Sequence, residues 1–184
     1  MARIPAATRE SVPQDQIAAF NDFLEKRGGI PGGPLSVMIN APEIAKRGDH
    51  LSEYLRLESS LSPKILELAM LVTAREMDCQ YIWNAHAASG RREGLSDALV
   101  DCMREQKDLP SLPADEAAVV NYGREFFRTH KVSDGAFQAA QQQFGVHGLT
   151  NLTILMGYYA LLAFNANAFQ IDLPAERTET TLPV

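Results

Sequence analysis

The sequence predicts an all-α fold, a single-domain helical bundle of about seven or eight helices. Three observations lead there. Apolar residues recur at three- and four-residue spacing through most of the chain, as they do where one stripe of a helix faces a core. Helix punctuation recurs with them. Ser62-Pro63, Ser133 and Asn40 with Pro42 can open helices, and Gly28-Gly29, Gly90 and Gly145 can close them. Finally, no stretch sustains the apolar/polar alternation of a half-buried strand. The short apolar group from Leu35 to Ile39 is the one ambiguous segment.

Residues 1–12 read as a polar arm broken by Pro5. Ser11 and Pro13 then suit a helix start, and Ile17, Phe20, Phe23 and Leu24 repeat at helical spacing up to Gly28. The run from Gly28 to Pro34 holds four glycines and two prolines. It must be a loop, long enough to cross a pocket or a neighbouring subunit. A helix over 42–57 follows, with Ile44, Leu51, Tyr54 and Leu55 expected inward. The next, over 63–77, is apolar around most of its circumference and belongs at the centre of a domain. Asp78 is the expected cap of a helix over 79–89, closed by Gly90. Gly94-Leu95-Ser96 opens another, with Leu99, Val100 and Met103 inward, and 108–113 is a proline-bounded turn. A helix over 114–130 points Tyr122, Phe126 and Phe127 inward, and one over 133–144 ends at Gly145. The last, over 148–169, is long and apolar, with Ile154, Tyr158, Tyr159 and Phe164 among its apolar positions. Residues 174–184 read as a second extended arm.

The 184 residues suffice for one domain, 1–184, with its own core. With 46% apolar and 22% charged residues, the composition is that of an ordinary soluble protein. A formal net charge of -6 argues against general nucleic-acid binding, which needs excess Lys and Arg. No run of eighteen apolar residues predicts a membrane span. The N-terminus lacks the apolar core of a secretory signal, so the cytoplasm is the expected compartment. There Cys79 and Cys102 are expected as free thiols. His50, His130 and His147 show no spacing typical of metal ligands, and no metal or cofactor is expected. Several helices carry more apolar surface than a chain of this size easily buries. That predicts a homo-oligomer (dimer, trimer or hexamer) with the arms and last helix at the interface.

The chemistry is concentrated in residues 62–94. Cys79 and His86 stand seven residues apart, two helical turns less about 20°, so they share a stripe with Ile82 and Trp83. Cys79 falls in the first helical turn, where the macrodipole favours a thiolate. Glu67 is an acid in an apolar helix, where an unpaired carboxylate is costly. His86 is its preferred partner. A carboxylate that orients an imidazole beside a thiol is an acid–base arrangement. Glu67, Cys79 and His86 are therefore the candidate catalytic residues, and the partner implied is a small-molecule substrate. Ile82, Trp83 and His147 are the candidate pocket residues. Plainer roles stand beside these. Cys79 also suits a small apolar filler, His86 a structural histidine, and Glu67 a bridge to Arg75 or Lys64. Cys102 reads as core, and Tyr158-Tyr159 as packing whose hydroxyls could line a pocket.

The pattern E-x11-C-x6-H, followed by H-x-x-x-G and G-L-S, is set by Glu67, Cys79, His86, Gly90 and Gly94-Leu95-Ser96. It resembles the carboxymuconolactone decarboxylase family, which includes the alkylhydroperoxidase D type of enzyme. The segment from Leu149 to Phe169 resembles that family's last helix, and the likeness spans residues 51–169. It implies an all-helical fold usually assembled into trimers or hexamers, with the site at Glu67, Cys79 and His86. One departure matters. Peroxidase members carry C-x-x-C, and the second cysteine is the one taken to attack peroxide; here that position is Ile82. A one-cysteine cycle would need an external thiol to resolve the sulfenic acid. The decarboxylase branch lacks the cysteine pair and keeps the histidine, without depending on an acid at the Glu67 position. The expectation is lyase or isomerase chemistry on a small organic acid or lactone. His86 would move the proton, Glu67 would orient it, and Cys79 would be a pocket wall or auxiliary acid. The alternatives are a thiol-dependent alkylhydroperoxidase using Cys79 alone, and a non-catalytic helical oligomer that binds a small ligand.

Overall fold

Helices form where caps and apolar spacing coincide. In the computed structural model, which describes residues 2–177 and 179–184, they are α1 (Ile17–Arg27), α2 (Pro34–Met38), α3 (Pro42–Glu53), α4 (Pro63–Glu76), α5 (Gln80–Arg92), α6 (Asp97–Arg104), α7 (Ala114–Thr129) and α8 (Asp134–Ala168). No strand occurs among the described residues. The ambiguous apolar group is the short helix α2, with Pro34 in its first turn.

The central element is α4. The Ser62 hydroxyl accepts from the Ile65 N–H at 3.4 Å, and Pro63 fits the first turn because it has no N–H to satisfy. Every residue from Leu68 to Arg75 is buried. A helix buried on all sides needs neighbours on all sides, and α5, α7 and α8 supply them. Each large apolar side chain so enclosed contributes about 1.5–3 kcal/mol. By length and composition α8 could cross a membrane, but half of its most apolar stretch is buried in this fold. It bends at Gly145, which has φ 64° and ψ 179°, and resumes at once rather than at Gly148.

Several expectations are corrected. On α3 and the turn that follows it, Ile44, Leu51 and Tyr54 are 59%, 41% and 38% exposed, and of the four residues expected inward only Leu55 is buried. The buried side of α3 instead holds Ala45, Asp49 and Ser52. Asp49 pairs with Arg27 and, at 3.1 Å, with Lys26 of α1, so the α1–α3 contact selects the polar side. The chain then passes into a π-helical turn over Tyr54–Glu58, whose wider winding re-aims the residues that follow. Asp78 does not cap α5. It takes a left-handed φ of 49° and pairs with Arg75, leaving Cys79 as the N-cap residue. Nor does Gly90 end α5. It lies on the buried side, where a Cβ would stand 2.9 Å from Leu95 Cδ1 and 3.1 Å from Leu71 Cδ1. Close packing, not termination, demands glycine there. Phe126 is 47% exposed rather than inward, and on α8 Ile154 and Phe164 are 43% and 69% exposed.

The terminal segments lie on the chain's own helices; Met1 and Thr178 are outside the described residues. The Arg3 N–H donates to the Phe169 carbonyl at 2.8 Å, and Ala7 and Val12 are buried. Leu182 is fully buried, and Gln80 donates to its carbonyl at 2.8 Å. Arg75 is 3% exposed and donates to the Pro183 carbonyl at 2.9 Å and the Arg104 carbonyl at 3.0 Å. A guanidinium this deep needs acceptors, and the C-terminal segment brings one.

Candidate active site

The apolar contact between α4 and α5 brings one polar pair together. His86 Nδ1 lies 2.8 Å from Glu67 Oε2, with the two side chains 12% and 14% exposed. Lys64 is engaged elsewhere, 2.8 Å from Glu116 and 3.6 Å from Asp115, and Arg75 is engaged with Asp78. Glu67 thus pairs with His86 and not with the alternatives on its own helix. A carboxylate accepts hydrogen bonds, so Nδ1–H is the donor, and in the neutral ring Nε2 carries the lone pair.

His86 lines a cavity of about 200 Å³ together with Tyr81 and Ile82 of α5, Tyr158 and Tyr159 of α8, and Arg56 of the π-helical turn. Glu67 does not line it, so Nε2 is the nitrogen left to face it. The His86 ring meets Tyr159 edge-on, with centroids 5.2 Å apart at 78°. Burial pushes the Tyr159 phenol well above the usual tyrosine range, against a smaller opposing effect of the Arg56 charge. The phenol is therefore a hydrogen-bond donor at neutral pH. The segment from Gly32 to Leu35 closes another wall. Gly33 has φ +67°, and a Cβ on it would stand 2.4 Å from the Tyr81 ring. Its backbone thus lies against that ring with no room for a side chain, at a φ that favours glycine. A second depression of about 240 Å³ shares Arg27, Ser52 and Arg56 with the cavity. Lacking an imidazole, it reads as the outer approach.

The other candidates are placed elsewhere. Cys79 is fully buried and does not line the cavity. Burial pushes its thiol up, while the backbone N–H groups of Ile82 and Tyr81 oppose that more weakly. A fixed helix start was expected to favour the thiolate; desolvation outweighs it here. Trp83 is 1% exposed and part of the core, on the side of α5 away from the cavity. Its indole N–H has no hydrogen-bond partner among the described residues. His147 is exposed near the start of the second arm of α8 and does not line the cavity. Cys102 is half-buried, and both cysteines are free. Among the described residues no three His, Cys, Asp or Glu side chains are grouped to hold a metal ion. Of the expected pocket residues only Ile82 lines the cavity. Arg56 and Tyr81 carried no signal in the sequence, because helical periodicity does not anticipate a π-turn or single out one aromatic.

The model of the carboxymuconolactone decarboxylase family matches residues 42–122, a segment that includes Glu67, Cys79 and His86. Among curated proteins no sequence matches the chain. An uncharacterized peroxidase-related protein of Ralstonia eutropha JMP134, with an alkylhydroperoxidase AhpD core, superposes with a TM-score of 0.70 at 18% identity, covering 95% of this chain and 93% of that one. An uncharacterized peroxidase-related protein of Silicibacter sp. TM1040 gives 0.69 at 18% identity, covering 95% and 92%. The debrominase Bmp8 gives 0.69 at 13% identity, covering 94% and 92%. These likenesses establish the alkylhydroperoxidase D-like helical fold.

Proposed function

We propose, for a chain whose residues 42–122 belong to the carboxymuconolactone decarboxylase family, that it catalyses lyase or isomerase acid–base chemistry on a small organic acid or lactone. The observation that carries this is the 2.8 Å Glu67–His86 hydrogen bond behind a cavity that His86 lines. Nε2 removes a proton from carbon next to a substrate carbonyl, and the electron pair passes to the carbonyl oxygen as an enolate. Glu67 holds the ring and stabilises the imidazolium so formed. Returning the proton to a different carbon completes an isomerisation. If the C–CO2 bond breaks instead, its electron pair becomes the carbanion, CO2 leaves, and a protonated His86 delivers the proton. The test is turnover of a panel of lactones and 2-oxo acids by wild type and His86→Gln. Loss of turnover in the variant is expected; retained turnover, or a wild type inert on the whole panel, contradicts the proposal.

A thiol peroxidase requires Cys79 to meet peroxide, and its burial, its raised pKa and its position off the cavity disfavour that. We also read the chain as one copy of a homo-oligomer, because Ile154, Leu161 and Phe164 leave one stripe of α8 exposed. A monomer in sedimentation would contradict that.

A further inference from the structure

The cavity carries polar atoms that its own fold does not use. Tyr159 is 3% exposed, yet its hydroxyl makes no hydrogen bond to any described residue. The hydroxyl oxygen itself is not sealed from solvent and opens on the cavity that Tyr159 lines, where a ligand oxygen can accept from it. Arg56 lines both the cavity and the outer depression, and it too makes no hydrogen bond or ion pair with a described residue. Its neighbours in the outer depression are neutralised in pairs, Lys26 with Glu53 at 2.6 Å and Arg27 with Asp49. Of the three Lys and Arg side chains lining the cavity and the outer depression, Arg56 is left over. The third unused atom is His86 Nε2, since Nδ1 is taken by Glu67. From mouth to interior the cavity therefore offers a cationic fork, a neutral donor and a proton acceptor.

We propose that this cavity takes a small carboxylate, its charged group held by Arg56 at the mouth and a second oxygen accepting from the Tyr159 hydroxyl beside His86. A guanidinium matches a carboxylate with two parallel hydrogen bonds, which an ammonium cannot reproduce. The cavity's roughly 200 Å³ is below the ~300–1,000 Å³ of sites for drug-sized ligands, so the ligand is small. Arg56 is thus the specificity-determining residue and Tyr159 a substrate-binding one. The ligand's orientation toward His86 rests on the acid–base function proposed above; its recognition by Arg56 does not.

The experiment is calorimetric titration of the full chain with benzoate and with its neutral isostere benzamide. Wild type should bind benzoate at least about tenfold more tightly than benzamide, the size of one charge-assisted contact. Arg56→Gln should erase that preference and Arg56→Lys restore part of it. Arg47→Gln, at a side chain 82% exposed, should leave it unchanged. Tyr159→Phe should weaken both ligands alike, with circular dichroism verifying its fold. Equal affinity of wild type for the two probes, no benzoate binding, or an unchanged preference in Arg56→Gln overturns the inference. His86→Gln turnover separates the two proposals. Its loss without benzoate selectivity sinks only the carboxylate site, and its retention with selectivity sinks only the acid–base chemistry.

Discussion

Glu67 Oε2 and His86 Nδ1 meet at 2.8 Å across the α4–α5 contact, and that one bond decides which imidazole nitrogen faces the cavity. Nitrogen-15 spectra of the neutral His86 ring should show the single tautomer protonated at Nδ1. In Glu67→Ala the ring loses its acceptor, both tautomers should appear, and turnover should fall by about 10²-fold, as for other outer partners of a functional histidine. An unchanged tautomer in the variant would remove Glu67 from the site.

Burial pushes the Cys79 thiol above its ordinary range, so it carries less thiolate at neutral pH than a free cysteine. Iodoacetamide at pH 7.5 should modify half-buried Cys102 first. Cys79 should react at least about tenfold more slowly than a free thiol, and at the free rate only after denaturation. Mass spectrometry of timed aliquots reads this directly, and fast native labelling at Cys79 would reopen the peroxidase function.

Asp49 couples α1 to α3. Burial raises its pKa, but Arg27 and Lys26 outweigh that and hold it below the usual 3.8. A carboxyl whose folded pKa is lowered stabilises the fold above its unfolded pKa and loses that contribution as pH falls through the folded value. Asp49→Asn should therefore cost about 2–4 kcal/mol at pH 7. The difference from wild type should shrink once the pH drops below 3.8. Urea unfolding across pH 2.5–7 measures it, and a pH-independent difference would contradict the ion-pair origin.

Gly33 combines φ +67° with a Tyr81 ring 2.4 Å from where a Cβ would sit. Gly33→Ala should lower stability by about 1–3 kcal/mol and displace the wall of the cavity. A thermal midpoint equal to wild type would show that the 32–35 segment does not rest on Tyr81.

Much of this was legible in the chain. Ser62, Ser96 and Ser133 each accept from a backbone N–H three residues on, as cap spacing implies, and the all-round apolar run after Ser62 is the central helix. The Glu67–His86 pairing followed from the cost of an acid among apolar neighbours. Other features depend on contacts that no local pattern encodes. Ile44, Leu51 and Tyr54 match a buried stripe, but Asp49 turns α3 the other way by pairing with α1. Cys79 and His86 do share a stripe, yet the stripe runs from core to cavity wall, so one residue is sealed and the other reachable. Arg56 owes its place to a π-turn, and Leu182 its burial to a terminal segment whose sequence is mostly polar.

In the proposed function His86, not Cys79, carries the chemistry. Turnover of one panel of lactones, 2-oxo acids and an alkyl hydroperoxide by wild type, His86→Gln and Cys79→Ala tests it most directly. His86→Gln should lose about 10²-fold or more, the usual share of a general acid–base group, while Cys79→Ala should stay within about threefold of wild type on the same substrate. A wild type active only on the hydroperoxide, with Cys79→Ala inert and His86→Gln active, would contradict it.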